Sequence, residues 1–222
     1  MDYWPSSIPL WHGTDASLLS SIVNNGLGGR NPVDELGAIS FLHRAFEAIG
    51  YQQNQKEFMR TMSFQNAYFA SKQLNAGMNF RHGGVYVTSS QQTAASYATR
   101  APEAVYYCRE FLDNLKGSET EAVAHLLDEY PKLKLFLDGD SNPIVLEVLR
   151  VRRDRVFDEH GGRISENQIE TYNRLFGNHE PGCGIDLNFA FEISEVISAD
   201  NLSVWRVLGR SMFEFAFEPM EL

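Results

Sequence analysis

The chain has 222 residues, of which 43% are hydrophobic and 12% aromatic. That is enough apolar material for one well-filled core, and too much for a disordered protein. The formal net charge of -10 disfavours bulk attraction to nucleic acid or to an anionic membrane. Cys108 and Cys183 stand far apart with no paired spacing, so reduced thiols in a cytoplasm are expected rather than a disulfide framework. The Met-Asp-Tyr-Trp-Pro start has no basic region leading into an apolar run, and no stretch approaches the ~20 apolar residues of a membrane span. A soluble cytoplasmic protein is the expectation.

Residues 8–12, Ile-Pro-Leu-Trp-His, read as a short buried strand, and Thr14 or Asp15 can cap the helix that follows. Leu18, Leu19, Ile22 and Val23 share one face of that helix, and Gly26 ends it. Residues 28–33 read as a loop. Leu36, Ile39, Leu42, Phe46 and Ile49 then recur every three or four positions. Phe58, Met62 and Phe69 do roughly the same on a second segment that stops near Gly77. These two helices form a block at about residues 31–78.

Gly83-Gly84 releases the chain into a strand from Val85 to Thr88, and Ser89 or Ser90 can cap a short helix carrying Thr93 to Ala98. Pro102 suits the first turn of a further helix reaching Gly117. Ser118-Glu-Thr-Glu121 reads as a capping box for another, ending before Pro131. From there the pattern turns to β. Pro143 to Val151 is a strand, and residues 158–184 read as a long polar surface loop with at most a helical turn. Leu187, Phe189, Phe191 and Ile193 alternate on one strand, and Phe213, Phe215 and Phe217 on a last one. Mixed elements without regular βα alternation indicate an α+β fold in a single domain over 1–222.

Two segments carry the chemistry: Leu10-Trp-His12-Gly13-Thr14, and Gly84-Val-Tyr86-Val-Thr followed by Ala-Ser-Tyr97-Ala98. Together they supply an imidazole, two tyrosine faces and a glycine backbone that a ligand can approach closely. A strand-His-Gly-Thr-helix followed by Gly-Val-Tyr-Val and Ala-Ser-Tyr resembles the ADP-ribosyltransferase fold, in its His-Tyr-Glu class with the poly(ADP-ribose) polymerases and the diphtheria-type toxins. The likeness covers 8–27 and 83–98 well and 143–151 and 186–205 loosely. It implies a split antiparallel sheet carrying the helical block as an insertion. It also implies NAD as substrate, with no metal.

Carried over position by position, the resemblance assigns His12 to the adenosine ribose, Gly13 to the nicotinamide carboxamide and Thr14 to ribose or phosphate. Tyr86 and Tyr97 would sandwich the cationic nicotinamide ring. The family places a glutamate on a late strand, beside an oxocarbenium-like transition state. Glu192 is the candidate, opposite in parity to Phe189, Phe191 and Ile193. A strict register against the polymerases falls nearer Asp186 or Asn188, which share its face. Ala94 stands where many relatives carry a serine, with Thr93 or Ser96 as substitutes. No chain-elongating glutamate is identifiable.

The expected function is thus transfer of a single ADP-ribose from NAD to a macromolecular acceptor, protein or nucleic acid. By analogy with small members of the family, a bacterial toxin or defence effector with an antitoxin partner is implied. The alternatives are a non-catalytic NAD- or ADP-ribose-binding module, and an enzyme like the RNA 2'-phosphotransferases on the same fold. Other patterns are weaker. His179-Glu-Pro-Gly-Cys183 has no second ligand pair and reads as loop. Arg150, Arg152, Arg153 and Arg155 read first as a solvated strand end, and second as a site for an anionic partner.

Overall fold

The computed structural model describes residues 2–51, 62–72, 85–115, 117–177, 187–210 and 214–221. In chain order the elements are β1 (Trp11–Asp15), α1 (Leu19–Asn25), α2 (Pro32–Leu36), α3 (Ala38–Ala48), α4 (Met62–Ser71), β2 (Val85–Thr88), α5 (Gln91–Ala98) and α6 (Glu103–Asp113). Then follow α7 (Ser118–Leu127), α8 (Pro131–Asp138), β3 (Pro143–Val148), β4 (Val156–Asp158), α9 (Glu166–Gly177), β5 (Ala190–Ile193), β6 (Leu202–Arg210) and β7 (Phe215–Met220). The content is mixed and every described strand pair is antiparallel, as an α+β fold requires. No helix among the described residues is long and apolar enough to cross a membrane.

The chain forms two compact units. The first takes residues 1–30, 83–99 and 141–222; the second takes 31–82 and 100–140. The helical stretch expected as a block at 31–78 is therefore one half of the second unit, and residues 100–140 are the other half.

In the first unit a seven-stranded sheet runs in the order β4-β5-β2-β1-β3-β6-β7. One face is closed by apolar side chains, with Val85, Val87, Leu146, Phe191 and Ile193 packed with Trp4, Ile8, Leu10, Ile22, Leu27 and Ile169. The alternate residues face α5, whose Ala94 and Ala95 pack on Val145 and Val207 beside Trp11 and Trp205. Small residues are what allow α5 to lie so near the sheet. A Cβ at Gly13 would overlap the Ala94 carbonyl and the Ala98 amide. Ser90 caps α5, accepting from the Thr93 amide at 3.0 Å. Gln92 ties it to β7 by exchanging two hydrogen bonds with the Phe215 backbone, at 3.0 and 2.7 Å.

The second unit is helical, and its core is aromatic. Phe41, Phe46, Phe64 and Phe111 are fully buried. Phe46 and Phe111 lie 4.6 Å apart between ring centroids, and Phe64 stacks on Phe111 at 5.5 Å. Such pairs add specific orientation to the burial of apolar area.

Several sequence expectations need correction. The first strand starts at Trp11 rather than residue 8, although Leu10 already accepts from the Val148 amide. Pro32 opens a one-turn helix inside the expected loop, with Asn31 as its cap. The helix after Pro102 ends at Asp113, and Gly117, not Ser118, holds the N-cap of α7. The strand from Pro143 ends at Val148, short of Val151. Four elements were unforeseen: α8, in a stretch read as β; α9, in a stretch read as loop; and β4 and β6, in stretches given no strand. Phe58, Gly77, Gly83, Gly84, His179, Cys183, Asp186 and Phe213 lie outside the described residues.

Candidate active site

The seam between β1 and β2 is built by pairing rules. The Val148 amide donates to the Leu10 carbonyl, and β1 pairs with β3 as Leu146 opposite His12 and Ile144 opposite Thr14. Backbone groups alternate sides along an antiparallel strand. His12 and Thr14 therefore bond toward β3, while Trp11, Gly13 and Asp15 point their amides and carbonyls toward β2. The register between β1 and β2 holds at Trp11 opposite Thr88. One step further on, the Tyr86 carbonyl is taken by the His12 Nδ1, 2.8 Å away, rather than by a strand partner. The Gly13 backbone thus faces a seam that ladder pairing does not close.

The His12 bond fixes its tautomer. A carbonyl oxygen only accepts, so Nδ1 carries the hydrogen and Nε2 presents a lone pair. The residue is half-buried, and burial lowers the imidazole pKa from 6.5, against the opposing pull of the bond to Tyr86. The imidazole at neutral pH is uncharged, and its outer nitrogen is an acceptor.

Across the next strand pair, Tyr86 stands directly opposite Glu192. Cross-strand partners share a face. The Tyr86 hydroxyl donates to the Glu192 carboxylate, and the phenol pKa is raised, first by burial and then by the charge and hydrogen bond of Glu192. Both side chains are half-buried, on the face opposite Val85, Val87, Phe191 and Ile193. By alternation the His12 side chain belongs to the other face, and it meets this pair through the Tyr86 backbone.

The other candidates are placed as follows. Gly13 lies under α5 with its backbone on the seam. Thr14 is buried, beside Asp15. Asp15 is the residue that caps, accepting from the Ser17 amide at 2.9 Å and from the Asn142 amide at 2.8 Å. Tyr97 is 62% exposed on the flank of α5. Asn188 shares parity with Glu192, but its Oδ1 accepts from the Thr88 hydroxyl at 2.5 Å. On β5, Glu192 is therefore the carboxylate that meets Tyr86. Ala94 is fully buried, Thr93 takes the Ser90 cap with its amide, and Ser96 is exposed.

Acidic side chains meet part of the arginine cluster. Arg152 makes a two-pronged contact with Asp154 at 3.0 and 2.6 Å. Arg153 reaches Asp2 at 3.3 Å and Glu166 at 2.5 Å, and Arg150 lies over the Tyr3 ring at 4.1 Å. The cluster lies past the end of β3, on and beside a short 3-10 turn, and not on a strand end as expected. Among the described residues no group of His, Cys, Asp and Glu could hold a metal ion. Searches against protein-family models, curated proteins and solved structures found no match.

Proposed function

We propose that this chain is an NAD-dependent mono-ADP-ribosyltransferase with the split-sheet architecture of that fold, acting on a macromolecular acceptor. The observation that carries the reading is the Tyr86–Glu192 pair, one strand away from the open Gly13 backbone. A carboxylate beside a tyrosine, next to unladdered backbone groups, suits a cationic aromatic leaving group that bears a carboxamide.

In this reading the Gly13 amide and carbonyl hold the carboxamide, and Tyr86 and the exposed Tyr97 supply aromatic faces. His12, whose side chain lies on the other face and not beside the tyrosines as the resemblance implied, acts through its bond to the Tyr86 carbonyl, and Thr14 braces β1 from inside. Glu192 stabilises positive charge as the bond between the nicotinamide nitrogen and the ribose carbon breaks. The electron pair leaves with nicotinamide, which becomes neutral. The acceptor's nucleophile supplies a new pair from the other side and gives up its proton. A cytoplasmic setting and an antitoxin protein complete the proposal by analogy alone. The acidic partners of Arg152 and Arg153 favour it over an RNA 2'-phosphotransferase, which needs basic groups for phosphate.

The test is to incubate the protein with NAD and a cell extract, and to seek single ADP-ribose adducts on protein and nucleic acid by mass spectrometry. Adducts that depend on Glu192 support transfer. NAD binding without adducts or turnover supports the binding module and overturns the transferase.

A further inference from the structure

Strand β5 has four residues, and its ladders to β2 and β4 run for four and three pairs. Side chains alternate with period two, so a slip of one residue would carry Glu192 to the apolar face and strand Tyr86 without a partner. Ladders this short specify register weakly by themselves.

Three consecutive polar residues stand at the end of β2, and all are buried: Thr88 at 2%, Ser89 at 4% and Ser90 at 3% exposure. Ser90 caps α5. The other two side chains reach the segment that feeds β5. The Ser89 hydroxyl donates to the Leu187 carbonyl at 2.7 Å and accepts from the Phe189 amide at 2.8 Å. The Ser89 amide donates to the Phe189 carbonyl at 2.9 Å. The Thr88 hydroxyl accepts from the Ser90 amide at 3.2 Å and donates to Asn188. Residues 187, 188 and 189 are each gripped once or more, and a one-residue slip would break every one of these bonds.

We propose that Thr88 and Ser89 are positioning residues, a register clamp that holds Glu192 opposite Tyr86. Neither stands opposite Tyr86 or Glu192 in the ladder. Their effect passes along β5, whose fourth residue from Asn188 is Glu192. The clamp rests on the proposed transferase only for its consequence in turnover; its consequence in structure is separate.

Two readouts keep these apart. The first is spectrophotometric titration of the Tyr86 phenol, taken as the difference between each protein and its Tyr86→Phe counterpart. The second is nicotinamide release from NAD. Thr88→Val keeps the shape of the side chain and loses the hydroxyl; Thr88→Ser keeps the hydroxyl. Asn188→Ala removes the clamp's exposed partner without disturbing the core. The expected result is that Thr88→Val and Ser89→Ala bring the Tyr86 titration down toward that of a free tyrosine, as Glu192→Gln does. Their kcat falls tenfold or more with a smaller change in KM. Asn188→Ala moves in the same direction by less, and Thr88→Ser stays within about twofold of the parent. Should Ser89→Ala fail to fold, Thr88→Val and Asn188→Ala decide the matter. An unchanged Tyr86 titration in folded Thr88→Val and Asn188→Ala overturns the clamp, whatever the turnover. If the parent protein releases no nicotinamide, the proposed function falls, and the titration alone still judges the clamp.

Discussion

The two units are held by different means. Of the buried polar side chains among the described residues, Thr14, Asp15, Thr88, Ser89 and Ser90 belong to the sheet unit, and Ser71 to the helical one. Ser71 bonds back to its own helix, at the Tyr68 carbonyl. The helical unit relies on aromatic rings packed edge to face and stacked, which tolerate small displacements at modest cost. The sheet unit places directional bonds at the seam and at the start of β5, where a displacement of one residue would dismantle the Tyr86–Glu192 pair. Apolar packing makes a core; buried hydrogen bonds fix which atoms meet.

The contrast can be broken by mutation. Phe111→Ala removes the ring on which Phe64 stacks and against which Phe46 packs at a tilt, and should cost about 3–5 kcal/mol in denaturant unfolding. A cost under about 1 kcal/mol would mean that the aromatic cluster is not what holds the helical unit. Gly13→Ala drives a methyl into the backbone of α5 and should cost about 1–3 kcal/mol, read as a fall in Tm. An unchanged Tm would show that α5 does not lie against β1.

Acid sharpens the comparison further, through His12. Its folded-state pKa lies below the unfolded value of 6.5. Between those two values the unfolded chain holds more protons, so stability falls as pH drops through that window. Above it the imidazole is neutral in both states and contributes no slope. His12→Gln should flatten this part of the curve, and an undiminished slope would place the titration elsewhere. The smallest effect is expected at the surface. Arg153→Ala loses ion pairs to well-exposed Asp2 and Glu166 and should change stability by less than about 1 kcal/mol.

Local signals in the sequence placed much of the fold. Val85–Thr88 was legible as a strand, because turn residues bound it and its β-branched residues suit one. Gly26 ended α1 because the chain there takes a positive φ of 79°. Misreadings have physical causes. Lys132-Leu-Lys-Leu-Phe-Leu alternates polar and apolar residues as a strand would, yet Pro131 opens a helix, Leu133 is buried and Leu135 is left 76% exposed. In α9 a polar composition hid the stripe of Ile169, Tyr172 and Phe176. Ser165 and Gln168 form a capping box there, which was available as a signal. At the candidate site, parity on β5 was legible, since alternation is local. Register was not, because Tyr86 and Glu192 are joined by long-range pairing, and the clamp at Thr88 and Ser89 looked like helix-capping residues alone.

The most direct measurement is chromatographic detection of nicotinamide released from NAD by the purified protein and by Glu192→Gln, with NAD binding followed in parallel by calorimetry. The expected result is steady release by the parent, and a fall of roughly 10²–10³-fold in the variant with binding retained. Equal release by both proteins, or no binding of NAD by the parent, would contradict the role given to the Tyr86–Glu192 pair.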